Sequence, residues 1–312
     1  MNNLKKVGLT ALATSMIASS AAYAGEMSVS GAASMTYTGL SSNSDVNPFT
    51  MGNSLNFTGG GDLDNGMSVS VNYEIDGGFT PYDDYSLTLD TNGMGALTFS
   101  GSSVNAGGIV KVNNIVPNAY TPVFEDTDTD DNGLATSTQG TKNGMFGYTY
   151  SDGGLMLSVG YQPNPAEAAE AETSYAVSYD GLMDGLTVVA GFLDDGNSSE
   201  NLTYGIKYTM GAITAAYQRT DITLDTAGGN DEEGLHYGVS FAVNENLSVA
   251  AGRQETSFAA ANTVDEENTG WSASYTMGSM SIGAAMNKVE NAAGSETAVD
   301  HEVTLINVAF AF

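Results

Sequence analysis

The sequence predicts an all-β fold, a 16-stranded antiparallel transmembrane β-barrel with a long third extracellular loop that folds inward. Two observations lead to this prediction. Short segments throughout the chain alternate large apolar residues with Ser, Thr, Asn and Gly, and turn-like connections alternate with long polar ones. A period of two is typical of strands with one apolar and one polar face. Short turns at one end and long loops at the other are what an up-and-down membrane barrel requires.

The first 24 residues predict a secretory signal peptide. Lys5 and Lys6 form a positive n-region, residues 7–17 form a short apolar segment, and Ala22-Tyr23-Ala24 forms a small-x-small cleavage site. The apolar run is too short for a membrane-spanning helix, which needs about 20 residues. We therefore expect residues 25–312 to form the mature chain, a single barrel domain.

The charge balance of the mature chain is strongly acidic. It keeps all 37 acidic residues and six of the eight basic residues, because Lys5 and Lys6 leave with the signal peptide. Such acidity excludes nucleic acid as a partner, since phosphate binding needs Lys and Arg, and it favours cations. With no cysteine and only two histidines, a zinc site or a Cys/His nucleophile is not expected. We predict that the protein is not an enzyme.

The alternation of apolar and polar residues defines the strands. Between Met67 and Asp76, every odd-numbered residue is apolar and every even-numbered residue is polar. A soluble β-sandwich is the alternative, but it would leave almost only hydroxyl groups outside. In lipid the apolar faces point outward around a wet lumen, and closure removes unpaired edges. Sixteen strands are predicted, at residues 27–38, 53–59, 67–76, 84–91, 95–101, 143–151, 155–162, 173–180, 186–193, 201–210, 212–220, 234–243, 247–256, 269–277, 280–289 and 301–312.

The longest stretch without a strand pattern, residues 101–142, is the predicted constriction loop. Loops of this length inside a domain are usually functional or disordered. Residues 101–116 are small and apolar and carry one charge, Lys111, so we expect them to lie against the barrel wall. The acidic run that follows is expected to face passing solutes; it comprises Glu125, Asp126, Asp128, Asp130 and Asp131.

Strand parity places the remaining charged candidates. Arg219 and Arg253 share parity with apolar residues at the loop-side ends of their strands. A β-bulge could turn them into the pore, and otherwise they would snorkel to the lipid headgroups. We count both among the candidate pore residues. The candidates on polar, lumenal faces are Glu74, Asp76, Lys207 and His236.

The acidic run also suggests a weak divalent cation site. Asp126, Asp128 and Asp130 place carboxylates at alternating positions, and hard oxygen ligands suit Ca²⁺. The glycine and the final glutamate of an EF-hand loop are missing at the required offsets. The alternatives are therefore adventitious calcium binding and a solvated charge run, and no other cofactor is expected.

The last strand carries a recognisable pattern. Ile306, Val308, Phe310 and Phe312 share one face, and the sequence ends on that phenylalanine. This resembles the C-terminal signature of bacterial outer-membrane barrels, which the outer-membrane insertion machinery reads. Together with the signal peptide, the sixteen strands and the long third loop, the mature chain resembles the general bacterial porins. The resemblance is to the alphaproteobacterial, Rhodobacter-like branch.

The resemblance implies a homotrimer in the outer membrane of a Gram-negative bacterium, surrounded by lipid. Each barrel would be a water-filled channel for passive diffusion of small hydrophilic solutes and for ion transport. General porins usually set Arg and Lys opposite the acidic loop, whereas this chain offers few candidates, so we expect cation preference. Residues 31–33 are a candidate subunit contact. The alternative function is a structural or adhesive outer-membrane barrel with a plugged lumen.

Overall fold

Sixteen antiparallel strands close into one barrel. The computed structural model describes residues 27–41, 47–76, 84–102, 106–122, 144–163, 170–196, 199–224 and 231–312. Each strand pairs with its neighbours in sequence, and the first pairs with the last. The predicted fold class is thus confirmed. The strands are β1 (Met27–Leu40), β2 (Phe49–Asp62), β3 (Ser68–Asp76), β4 (Tyr85–Asp90), β5 (Ala96–Ser102), β6 (Met145–Asp152), β7 (Leu155–Gln162), β8 (Glu172–Tyr179), β9 (Leu186–Asp194), β10 (Ser199–Met210), β11 (Ile213–Leu224), β12 (Glu232–Ala242), β13 (Leu247–Phe258), β14 (Glu266–Met277), β15 (Met280–Glu290) and β16 (His301–Ala311).

All sixteen strands lie where the alternation predicts them, with differences at the ends. The prediction for β2 was too short at both ends; glycines at position 52 and at positions 59–61 interrupt the alternation of apolar and polar side chains there. In the structure the ladder with β1 runs from Phe49 to Gly59 without interruption. Strands β10, β11 and β14 also extend farther towards the long loops than predicted.

The barrel has apolar residues outside and polar residues inside. In β10, Tyr204 and Ile206 are 41% and 44% exposed on the outer surface, whereas Asn201 and Thr203 are buried on the inner side. This is the arrangement expected when lipid surrounds the wall and water fills the lumen. No helix in the described residues is long and apolar enough to span a membrane.

The C-terminal residue closes the barrel against β1. The backbone N–H of Gly31 donates to the Phe312 carbonyl at 2.7 Å, and the Phe312 N–H donates to the Gly31 carbonyl at 2.9 Å. A Cβ atom on Gly31 would lie 2.5 Å from the Phe312 ring. Gly31, a candidate for the subunit contact, therefore gives room to the terminal ring of its own chain.

Candidate functional site

The described part of the third loop lies inside the barrel. Residues 106–122, called the inner belt below, run along the inner wall from β6 to β15. At the first end the Ala106 carbonyl approaches Gly147 of β6, and at the other the Tyr120 ring lies over Gly283 of β15. The described residues of the loop thus follow the wall, as predicted for residues up to 116.

Hydrogen bonds from inward-facing side chains hold the inner belt in place. Gln218 of β11 makes three of them: its Oε1 accepts from the Ile115 N–H at 2.8 Å, and its Nε2 donates to the carbonyls of Val112 and Asn113 at 2.8 and 3.0 Å. A further bond to Thr203 Oγ1 fixes the Gln218 amide itself. One side chain of the wall thus binds backbone groups of three belt residues between Val112 and Ile115.

Three other wall residues hold the two ends of the inner belt. Ser158 of β7 accepts from the Gly108 N–H at 3.0 Å. Ser272 of β14 accepts from the N–H of Ala119 at 3.0 Å. Asn287 of β15 donates to the Pro122 carbonyl at 2.9 Å. These anchors and Gln218 were missed at the sequence level, where they looked like ordinary polar residues of an inner face.

Apolar contacts fix the first half of the inner belt. Ile109, in the 3-10 helix Gly108–Lys111, packs on Leu193 of β9, and both are fully buried. Val112 packs against Ala176 and Val189. Strand β9 therefore breaks the polar pattern of the inner face, because the belt shields its apolar residues from the lumen. Full burial of such a side chain contributes about 1.5–3 kcal/mol.

The wall opposite the inner belt is acidic. Glu74 and Asp76 lie on the inner face of β3, where Asn56 Nδ2 lies 3.4 Å from Glu74 Oε1. The sequence between residues 25 and 110, which spans β1 to β5, contains no Lys or Arg. The arc of β1 to β5 therefore contributes carboxylates and no cation to the lumen.

Two predicted cations lie inside the barrel. Lys207 shares the inner face of β10 with Thr203, as its parity predicts. Lys111 ends the 3-10 helix of the inner belt, and its side chain is exposed. The predicted acidic residues of the constriction lie outside the described residues; they are Glu125, Asp126, Asp128, Asp130 and Asp131.

Arg219 and Arg253 lie on the outer surface, which corrects their placement among the pore residues. The ladders around β11 and β13 contain no register shift, so no bulge turns these side chains inward. Arg219 Nη2 lies 2.9 Å from Asp221 Oδ1 and 2.6 Å from Glu233 Oε2. Neighbouring carboxylates on the same outer face thus make the outward position favourable.

The same arrangement recurs on alternate strands and forms three outer ion clusters. Arg253 of β13 pairs with Glu255 and Glu267, each at 2.8 Å. Lys288 of β15 pairs with Glu290 and, at 3.7 Å, with Asp300. In each cluster the cation pairs with the acid two residues farther along its own strand. It also pairs with a second acid, which lies in the next strand or just before it. That two-residue spacing was the signal in the sequence that could have revealed the clusters.

His236 lies on the inner face of β12 but not on the open pore wall. Only 2% of it is exposed, because the inner belt covers it. A small pocket there is lined by His236 together with Val116, Pro122 and Ser272. His236 therefore faces inward, as its parity predicts, but the inner belt separates it from the open lumen.

No metal site is visible in the part of the chain that the structure describes, since no three His, Asp or Glu side chains there could hold an ion together. Asp126, Asp128 and Asp130 lie outside that part. A calcium site at these residues stays a prediction.

The terminal signature residues Val308, Phe310 and Phe312 lie in the last strand or just after it. Phe310 and Phe312 are 49% and 65% exposed on the outer surface. An apolar, outward-facing end is therefore available to lipid or to a partner protein.

Comparisons with known proteins agree with this geometry. Outer-membrane protein OmpT of Vibrio cholerae shares the fold with a TM-score of 0.70 at 14% identity, over 94% of this chain and 99% of that one. A variant of Rh. blastica porin matches with a TM-score of 0.64 at 14% identity, over 92% of this chain and all of that one. Comparison with curated protein sequences found no significant match.

The sequence profile of the Gram-negative porins matches residues 8–312, nearly the whole chain. The closed sixteen-stranded barrel, its apolar outer surface and the wall-bound third loop are consistent with that match. The protein is thus an outer-membrane β-barrel, and it belongs to the Gram-negative porin family.

Proposed function

We propose that the protein is a water-filled diffusion channel that passes small hydrophilic solutes and prefers cations. The observation that carries this proposal is the charge of the arc opposite the inner belt. Glu74 and Asp76 lie on its inner face, and the sequence from residue 25 to residue 110 has no basic residue. Transport rather than catalysis is the proposed role.

The sign of the lumenal charge supports cation preference. Three basic residues, Arg219, Arg253 and Lys288, are held in ion pairs on the outer surface, where they cannot line the pore. Carboxylates within a low-dielectric wall focus the field and concentrate cations in the lumen. The acidic run at residues 125–131 would add to this field if it faces the lumen.

We further propose that three copies assemble in the outer membrane. Support comes from the fold shared with a structure of Vibrio cholerae OmpT described as a trimer form, at a TM-score of 0.68 and 14% identity. The outward-facing side chains of β1 and β2 include highly exposed apolar residues, such as Met27 and Met51. A neighbouring subunit could cover them.

Planar-bilayer recordings test the charge preference. Under a gradient of KCl, we expect a zero-current potential of the sign that marks K⁺ as more permeant than Cl⁻. The potential should weaken at high salt, because screening acts over about 8 Å at physiological ionic strength and over less in concentrated salt. Anion preference would contradict the proposal.

Liposome swelling separates the channel from the plugged structural or adhesive barrel. Proteoliposomes should swell in small sugars at rates that fall as the sugar becomes larger. A barrel that admits no sugar would support the plugged alternative.

A further inference from the structure

Six inward-facing glycines lie directly beneath the inner belt. They occupy six strands, and we call them the glycine track. None of the six has a positive φ angle, so their backbone conformation does not require glycine. The glycine track comprises Gly147 in β6, Gly160 in β7, Gly191 in β9, Gly205 in β10, Gly238 in β12 and Gly283 in β15.

At five of these residues the inner belt supplies the nearest atom, or one equally near, to an added side chain. At Gly160 a Cβ atom would first meet Met145 Cε and Ser174 Oγ of the wall, at 2.5 and 2.7 Å, and then the Gly107 carbonyl of the belt at 2.9 Å. A Cβ atom on Gly191 would lie 2.8 Å from Ile109 Cγ1 and 2.8 Å from Val112 Cγ2. Carbon atoms in favourable contact are about 3.5–4.0 Å apart, so these distances are repulsive. The belt can lie this close to β9 only because Gly191 has no side chain.

The same relation continues along the second half of the inner belt. A Cβ atom on Gly238 would lie 2.8 Å from Val116 Cγ1, and one on Gly283 would lie 2.2 Å from Tyr120 Cδ2. In both cases the nearest atom belongs to the belt rather than to a neighbouring strand. At each of these positions, the lack of a side chain on the wall residue determines how closely the belt approaches the wall.

Glycine is required at these positions by the space available above the strand and not by the backbone conformation. Glycine in the interior of a strand weakens it, whereas β-branched residues fit the pleated surface well. A strand of this barrel would gain stability from a larger residue if its inner face were open. Glycine at the five positions where the belt supplies the nearest or an equally near atom therefore allows the belt to approach the wall closely.

We propose that the glycine track determines the size limit of the channel, by setting how far the inner belt stands into the lumen. This inference rests on the proposed diffusion function and assigns solute discrimination to residues of the wall, beneath the loop. A methyl group on the track requires the belt to move by about 1 Å to restore normal contact, and a valine side chain requires more. The lumen narrows by that displacement.

Gly238→Ala and Gly238→Val test the inference in the full-length protein. We expect single-channel conductance to fall slightly for alanine and roughly twofold for valine, because conduction and selectivity depend on pore diameter. Swelling rates should fall most for the largest sugar that the wild-type channel admits. Unchanged or increased conductance would overturn the inference.

Gly52→Val is the matched control. Gly52 pairs with the inward-facing Ser34 of β1, and the Ser34 hydroxyl is the sole described atom within 4 Å of a Cβ placed there. The control adds the same volume to the inner wall away from the inner belt. Its conductance should stay within error of the wild type, and an equal fall would show that added volume alone narrows the pore.

A second substitution separates displacement of the inner belt from misfolding. Val116→Ala removes the Cγ1 atom that a Cβ at position 238 would meet, so the double variant Gly238→Ala/Val116→Ala should recover the wild-type conductance. Lack of recovery in a folded barrel would overturn the inference. A wild-type protein that admits no sugar at all would refute the diffusion function instead.

Discussion

At the scale of single residues, the direction of a side chain decides what its charge can do. Lys207 and Arg219 lie on adjacent strands, yet one faces the lumen and the other faces outward. Lys207 therefore contributes to the field that ions cross. Arg219 interacts with Asp221 and Glu233 on the far side of the wall.

Neutralising these two residues should have different effects. Lys207→Gln removes a lumenal positive charge, and we expect the ratio of cation to anion permeability to rise roughly twofold, the effect of one charge about 10 Å away in water. Arg219→Gln removes the same charge from the outer surface and should leave the ratio unchanged. Zero-current potentials in a KCl gradient measure both; equal shifts would contradict the assigned orientations.

The orientation of Lys207 could be predicted from the sequence, whereas the cross-strand partner of Arg219, Glu233, could not. Alternation alone determines which face a strand residue occupies, and it holds throughout β10. An ion pair between Arg219 and Glu233 also depends on the register between β11 and β12, which pairs Asp221 with Glu233. Register depends on turn geometry and on contacts along the whole ladder.

At the scale of elements, the inner belt has one short 3-10 helix, Gly108–Lys111, and is held in place mainly by its contacts with the wall. The sequence predicted a wall-bound first part from its small apolar residues. It could not predict that Gln218, 103 residues beyond Ile115, would hold the belt. The glycine track was equally hidden, because an inward-facing glycine in a strand looks like any other small residue of a polar face.

Gln218→Ala should loosen the inner belt. The variant loses three hydrogen bonds to the belt, each worth about 1 kcal/mol. We expect higher open-channel current noise and additional conductance levels in single-channel recordings, because the middle of the belt can then leave the wall. Asn56→Ala, which removes an inner-wall amide far from the belt, is the control. Recordings as quiet as the wild type would contradict the anchoring role.

At the scale of the whole molecule, closure depends on the contact between the two ends of the barrel. The ladder between β1 and β16 ends in reciprocal backbone hydrogen bonds between Gly31 and Phe312. The Phe312 ring fills the space above Gly31. The terminal phenylalanine therefore has a structural role in addition to any recognition during insertion.

Gly31→Leu should impair barrel closure even when the protein is refolded in the absence of the insertion machinery. Overpacking of a tight contact typically costs about 1–3 kcal/mol, so the temperature at which the folded band disappears in heat-modifiability gels should fall for protein refolded in detergent. Val29→Leu is the control, since Val29 is exposed on the same face of β1. If both variants melt like the wild type, the contact has no role in closure.

The path of the inner belt also affects the mechanics of the barrel. Ser158, Gln218, Ser272 and Asn287 bind the same short segment, so strands β7, β11, β14 and β15 are tied together from inside. Flattening this arc would stretch those bonds, so the inner belt braces the part of the wall that it follows. Lateral pressure from the membrane would be resisted there by side-chain bonds to the belt as well as by the strand ladders.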